Sequence, residues 1–166
     1  MADRREAEPD ETPADPAAHL RRAVDEDVDA IATLVDAAYR DYTPLLGRTP
    51  TPMLTDFAAA VREHDVWVLE AAPRLVGVIE LIVENDRLWV HNVAIDPSVQ
   101  GRGFGRRLLS FAEDEARRLG LPAIGLLTNE RYVANIAMYQ RYGYRETHRE
   151  PYRGTDLVHF RKRLTD

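Results

Sequence analysis

The chain has 166 residues, 45% of them hydrophobic, and a net charge of −6, which suits one domain with a sizeable core. It has no cysteine, which excludes disulfides, thiolate metal sites and a cysteine nucleophile. Its five histidines form no H-x-x-x-H pair and its only serines, Ser98 and Ser110, lie outside any G-x-S-x-G, so no metal and no serine-hydrolase chemistry are expected.

In chain order, residues 1–16 come first, with three prolines, six acids and two bases. Such a segment buries too little apolar surface to offset its ordering entropy, so it reads as a disordered acidic tail before a domain over 17–166. The tail carries −4 and leaves −2 for the rest, which argues against nucleic acid as a partner. Arg141, Arg145, Arg149 and Arg153 are the one basic grouping that speaks for it. No apolar run reaches the length of a membrane span and the polar N-terminus has no signal-peptide character, so cytoplasmic residence with no membrane partner is the expectation.

His19–Val24 is strand-like. Asp25-Glu26-Asp27 then supplies capping and dipole-favourable acids for a helix whose apolar face runs from Val28 to Ala38. Residues 41–52, with three prolines and a glycine, read as a rigid connection, and Met53–Glu63 as a second helix. Strands are expected at Val66–Ala71, Leu75–Val83 and Leu88–Ile95, and their short connections predict an antiparallel meander. A helix over Gly103–Leu119 follows, closed by Gly120. Then come a strand at Ala123–Thr128, a helix over Tyr132–Tyr142 ended by Gly143, and strands at Tyr144–Arg149 and Asp156–Leu164. Strand, helix and strand in series predict a parallel pair.

The stretch between Ile95 and the Gly103 helix carries the chemistry. Gly101, Gly103 and Gly105 alternate with Arg102, Phe104 and Arg106 after Asp96-Pro97-Ser98-Val99-Gln100. Glycines admit a ligand close to the backbone, and the first amides of a helix lack internal partners, so this is an anion site. The spacing does not give G-x-G-x-x-G, and Lys162 is the only lysine, which removes a Walker loop. It does match Q/R-x-x-G-x-G/A through Gln100, Gly103 and Gly105. A second region, Asn135 to Tyr144, places Asn135, Tyr139 and Gly143-Tyr144 on and after a helix.

With these two motifs, and with the order β-α-α-β-β-β-α-β-α-β-β, residues 17–164 resemble the GNAT superfamily of acyl-CoA N-acyltransferases. The resemblance implies a mixed, mostly antiparallel α/β sheet with helices on both faces. It implies acetyl-CoA as co-substrate and direct transfer of acetyl to a small-molecule or peptide amine in a ternary complex. An acyl-CoA-binding or sensing module on the same fold is the alternative, since fold does not fix activity. Val93, Ala94 and Ile95 would meet the pantetheine arm, and Gln100, Gly101, Arg102, Gly103, Phe104, Gly105 and Arg106 the pyrophosphate. Asn135 would bond the cofactor arm or cap its helix. Tyr139 would protonate the departing thiolate, with a main-chain N–H near Val93 facing the thioester oxygen. Glu80, His91 and Glu130 are candidate bases for the amine. Tyr39, Tyr42 and Arg48, on the proline-stiffened connection, would grip the acceptor. The acceptor's identity stays open, as does assembly as a homodimer.

Overall fold

The computed structural model describes residues 17–164. The tail expected at 1–16 lies outside the described residues. One mixed sheet of seven strands, ordered β1-β2-β3-β4-β5-β7-β6, forms the centre. The strands are β1 His19–Arg22, β2 Asp65–Ala71, β3 Arg74–Val83, β4 Leu88–Ile95, β5 Ala123–Asn129, β6 Arg145–Tyr152 and β7 Thr155–Arg163. All neighbours are antiparallel except β4 and β5, the parallel pair expected from the strand-helix-strand series. The helices are α1 Val28–Tyr39, α2 Tyr42–Leu46, α3 Phe57–Glu63, α4 Phe104–Arg118 and α5 Val133–Arg141.

Alternation along the strands sends side chains to two apolar layers. In β3, Val78 joins Ile31, Leu34 and Val35 of α1 and Phe57 of α3. Its neighbour Ile79 joins Leu108, Leu109 and Ala112 of α4, with Tyr139 of α5. Helices therefore cover both faces. Gly77 permits the closest approach: a Cβ there would stand 3.0 Å from Ile95 Cδ1 and 3.1 Å from Leu108 Cδ1. Edge strand β6 is exposed along most of its length and carries Pro151 and several charges, which discourage further strand pairing.

Two expectations are corrected. Residues 41–52 are not merely a connection, because Tyr42–Leu46 forms a short helix that ends at Gly47 with φ +68°. The helix expected from Met53 begins only at Phe57, since Asp56 caps it by accepting from the Ala59 amide at 3.0 Å. Helices α4 and α5 stop where glycine was expected to stop them. After α4, Gly120 donates to Arg117 O and Leu121 to Ala116 O; after α5, Gly143 donates to Gln140 O and Tyr144 to Tyr139 O. Both are Schellman closures, with the glycine at positive φ. Among the described residues no helix is long and apolar enough to cross a membrane.

Candidate active site

The parallel pairing of β4 and β5 covers only Leu88↔Ile124, Trp89↔Gly125 and Val90↔Leu126. Beyond it β4 stays with β3 and β5 with β7, so the sheet forks. The fork coincides with a bulge, because Leu81 pairs with Val90 and Glu80 with Asn92, leaving His91 without a partner on β3. A bulge bends its strand and raises its twist, which helps part β4 from β5. A cavity opens on each side of Val93.

The first is a groove of about 360 Å³ walled by Val93, Ala94 and Ile95, by the glycine loop and by α5. The loop is internally braced. Asp96 accepts from the Ser98 amide at 2.8 Å and hydroxyl at 2.7 Å, and Gln100 Nε2 donates to Ile95 O at 3.3 Å. The Ser98 hydroxyl, more than its amide or Arg74, holds the Asp96 carboxyl below its ordinary range. Gly101 and Gly103 have φ of +80° and +81°, which L side chains rarely adopt. Gly103 caps α4, whose first intrahelical bond runs from the Arg107 amide to Gly103 O at 3.0 Å. The amides of Phe104, Gly105 and Arg106 therefore reach the groove ahead of the helical ladder, at the positive end of the dipole.

Gly105 differs from the other two. Its φ is not left-handed, and a Cβ there would meet nothing closer than Ile95 Cγ1 at 3.9 Å. Neither backbone nor packing demands a glycine in this helical position, where alanine is more favourable by about 1 kcal/mol. The vacant space faces the groove, as a site for a closely applied anion requires.

The second cavity, about 340 Å³, lies between β4, β5, α5 and the 46–55 segment. Its wall includes Leu46, Arg48, Trp89, His91, Leu126, Leu127, Tyr132, Tyr152 and Leu157 and, among the described residues, no aspartate or glutamate. Tyr39, Val93, Asn135 and Tyr139 line both cavities and form their junction. Tyr39 Oη donates to Asn92 Oδ1 and Val93 O, both at 3.3 Å. Its ring stands 6.1 Å from Tyr42 and 6.3 Å from Tyr132, which are themselves 3.9 Å apart. Burial, and secondarily the neighbouring phenols, pushes the Tyr39 and Tyr139 hydroxyls well above the ordinary tyrosine range. Tyr132 is pushed up to about 12, chiefly by burial. The junction thus offers protonated phenols in a poorly solvated space.

The Acetyltransferase (GNAT) family model matches residues 31–144. The chain belongs to this family. A curated relative, the [ribosomal protein bS18]-alanine N-acetyltransferase of Salmonella typhimurium, is 34% identical over 78 residues, 47% of this chain and 53% of that protein. The chain spans about half the length of most curated relatives it matches, between 44% and 66% among four of them. The solved ribosomal-protein-S18-alanine N-acetyltransferase of Escherichia coli has a TM-score of 0.73 at 20% identity, over 90% of this chain and 95% of that one. PaiA N-acetyltransferase from Thermoplasma acidophilum, solved in complex with coenzyme A, has a TM-score of 0.74 at 14% identity, over 88% and 98%. At these identities the structures share the GNAT fold.

Within this GNAT frame, the groove gathers Val93, Ala94, Ile95, Gln100, Gly101, Gly103, Phe104, Gly105, Arg106 and Asn135. Arg102 is exposed and outside its wall. Arg106 lies over the Tyr142 ring at 4.4 Å, which fixes its guanidinium at the groove edge. Asn135 does not cap α5, whose N-cap is Tyr132, and is free to face both cavities. Of the three acceptor candidates, Arg48 lines the second cavity and Tyr39 the junction, whereas Tyr42 lines the groove. His91 reaches the second cavity, but Glu80 does not: it is buried, and its Oε1 lies 2.5 Å from His64 Nδ1. Glu130 is a brace, with Oε1 accepting from the Asp156 amide at 2.8 Å. Sequence reasoning passed over Trp89, Tyr132 and Tyr152. The Tyr132 signal was its place between a strand end and a helix, but nothing local announced Trp89 or Tyr152.

Proposed function

We propose that this chain transfers an acetyl group from acetyl-CoA to an amine by direct attack in a ternary complex. The observation that carries the reading is the junction: a groove lined by the N-terminal amides of α4 and a largely apolar cavity meet at Tyr39, Val93, Asn135 and Tyr139. A module that only held acyl-CoA has no use for the second cavity.

The groove fits the cofactor by its own chemistry, since free amides at a helix N-terminus and the space at Gly105 suit a pyrophosphate. When bound, acetyl-CoA supplies an acetyl group activated as a thioester. The amides of Phe104, Gly105 and Arg106 hold the diphosphate, with Arg106 at the edge. Val93, Ala94 and Ile95 offer the main chain of a parted strand to the amide-bearing arm, and Asn135 presents an amide side chain to it. The second cavity receives the amine. Its largely apolar wall, to which the described residues bring no carboxylate that could stabilise an ammonium, favours the neutral amine that can attack. His91 accepts the proton that the amine sheds. Tyr139, with its hydroxyl held protonated by burial, donates to the sulfur as negative charge gathers there. Tyr39 keeps Val93 O engaged, so the main chain at the junction is fixed before the substrates arrive.

The test is release of free thiol from acetyl-CoA in the presence of a broad panel of primary amines, with acetyl-CoA binding followed by calorimetry. Amine-dependent thiol release is expected. Tight acetyl-CoA binding with no turnover on any amine would leave the sensing alternative.

A further inference from the structure

Among the described residues, the cation in the second cavity has no carboxylate counterpart. Arg48 lines the wall, and its buried Nε has no hydrogen-bond partner. Among the described residues its recorded contact is with an aromatic face, with Cζ 5.2 Å from the Tyr152 ring centroid. That ring also has Arg153 Cζ at 5.3 Å and a hydroxyl 3.2 Å from Thr51 Oγ1, so it is a fixed platform. Elsewhere the chain's arginines regularly find carboxylates: Arg21 with Asp27, Arg87 with Glu84, Arg118 with Glu115, Arg149 with Glu146 and Arg161 with Asp86. An arginine held over an aromatic ring, beside a cavity without acids, is a prepared anion receptor. Removing a buried donor from water is costly unless a partner replaces the water.

We infer that the acceptor amine is an amino carboxylic acid, its carboxylate bound by Arg48 and its apolar body lying among Leu46, Leu127 and Leu157. This rests on the acetyl-transfer reading above and names its substrate class. A carboxylate suits the site better than a phosphate, because one guanidinium in a mostly apolar wall balances a single charge, not two. A polycationic amine is disfavoured, because the wall holds a cation and no acid. The N-terminus of a longer polypeptide presents a neutral peptide group where the carboxylate would sit.

The experiment uses the full chain and paired acceptors: L-leucine, L-phenylalanine and 4-(aminomethyl)benzoate, each against its own carboxamide. For the two α-amino acids the amide's amine is the more readily neutral, so intrinsic reactivity favours the amide. A preference for the acid therefore reports recognition. The acid is expected to have a kcat/KM at least tenfold above its amide in at least one pair. Arg48→Met should abolish that preference through KM, and Arg48→Lys should restore part of it. Acetyl-CoA affinity and melting temperature of the variants confirm that groove and fold are intact. Binding gives a readout without chemistry. In the presence of coenzyme A, 3-phenylpropionate should quench Trp89 fluorescence at a concentration at least fivefold below 3-phenylpropionamide, and Arg48→Met should erase the difference. Turnover without acid preference overturns this inference and leaves acetyl transfer standing. Arg48-dependent carboxylate binding without turnover of any amine overturns acetyl transfer and keeps the anion site. Absence of both overturns both.

Discussion

Replacing Tyr139 by phenylalanine removes one hydroxyl from the junction and leaves its packing. The ring lies 6.0 Å from Tyr144, edge-on, and 5.9 Å from Phe160, contacts that phenylalanine reproduces. Melting temperature and acetyl-CoA affinity should stay near wild type. The rate should not. Burial lifts the phenol well above its ordinary range, which makes it a poorer acid than an exposed tyrosine and further from a thiol of pKa ~8.5. Complete proton transfer, which commonly contributes about 10²–10⁴-fold, is therefore more than this phenol can give. What it can give is a hydrogen bond to a developing charge in a desolvated site, worth about 1.5–3 kcal/mol. At 1.36 kcal/mol per decade, kcat should fall roughly 10–100-fold. The wild-type to mutant ratio should hold constant between about pH 6 and 9, because the phenol stays protonated throughout. Pre-steady-state and steady-state thiol release across that range provide the assay. A ratio below about threefold would make Tyr139 a packing residue. A ratio that collapses as pH approaches ~10, the unperturbed phenol pKa, would refute the burial argument.

Gly105→Ala should raise stability by about 0.5–1 kcal/mol, since nothing in the protein opposes the added methyl, yet weaken acetyl-CoA binding at least tenfold; melting curves and calorimetry on one preparation read both. Glu80→Gln should leave kcat within threefold, because Glu80 faces His64 and not the cavity, whereas His91→Gln should lower kcat/KM for the acceptor by about tenfold or more at neutral pH. Asp27 is the natural acid-sensitive point. Its carboxylate accepts from Arg21 at 2.7 and 2.9 Å and from the Val24 amide at 2.9 Å, and the Arg21 bonds chiefly hold it below the ordinary carboxylate range. A depressed carboxylate adds stability above the unfolded value of ~3.9, and that contribution is lost as pH falls through the folded value. Asp27→Asn should therefore cost about 1–3 kcal/mol near neutrality and almost nothing in strong acid, a convergence that urea melts at the two pH values can check.

The central strands β2 to β5 were readable in the sequence because they are apolar runs bounded by turn residues, and α4 and α5 because glycines mark their ends. The glycine loop was readable for a related reason: two of its residues need positive φ, and only the third is spared for a ligand. The residues that make a cavity were less legible. Trp89 and Tyr152 lie on strands far apart in sequence, and only the folded sheet brings them to one cavity. The fork between β4 and β5 coincides with the His91 bulge, a one-residue mismatch with β3 that no local pattern announces. Tyr42 was placed with the acceptor by its neighbours in sequence. Helix α2 carries it instead to the groove, against Tyr132 at 3.9 Å. The Asp56 cap was a legible signal, three residues ahead of the Ala59 amide, and it outweighed the apolar residues Met53 and Leu54.

Two ligands should meet at Tyr39, Val93, Asn135 and Tyr139. A crystal structure with acetyl-CoA decides whether they do. The diphosphate should lie against the amides of Phe104, Gly105 and Arg106, with the thioester sulfur within about 3.5 Å of Tyr139 Oη, hydrogen-bond reach for sulfur. The acetyl methyl should point into the cavity that holds Arg48. A diphosphate bound elsewhere, or a thioester sulfur that ends outside the junction and away from the Tyr139 hydroxyl, would contradict that meeting.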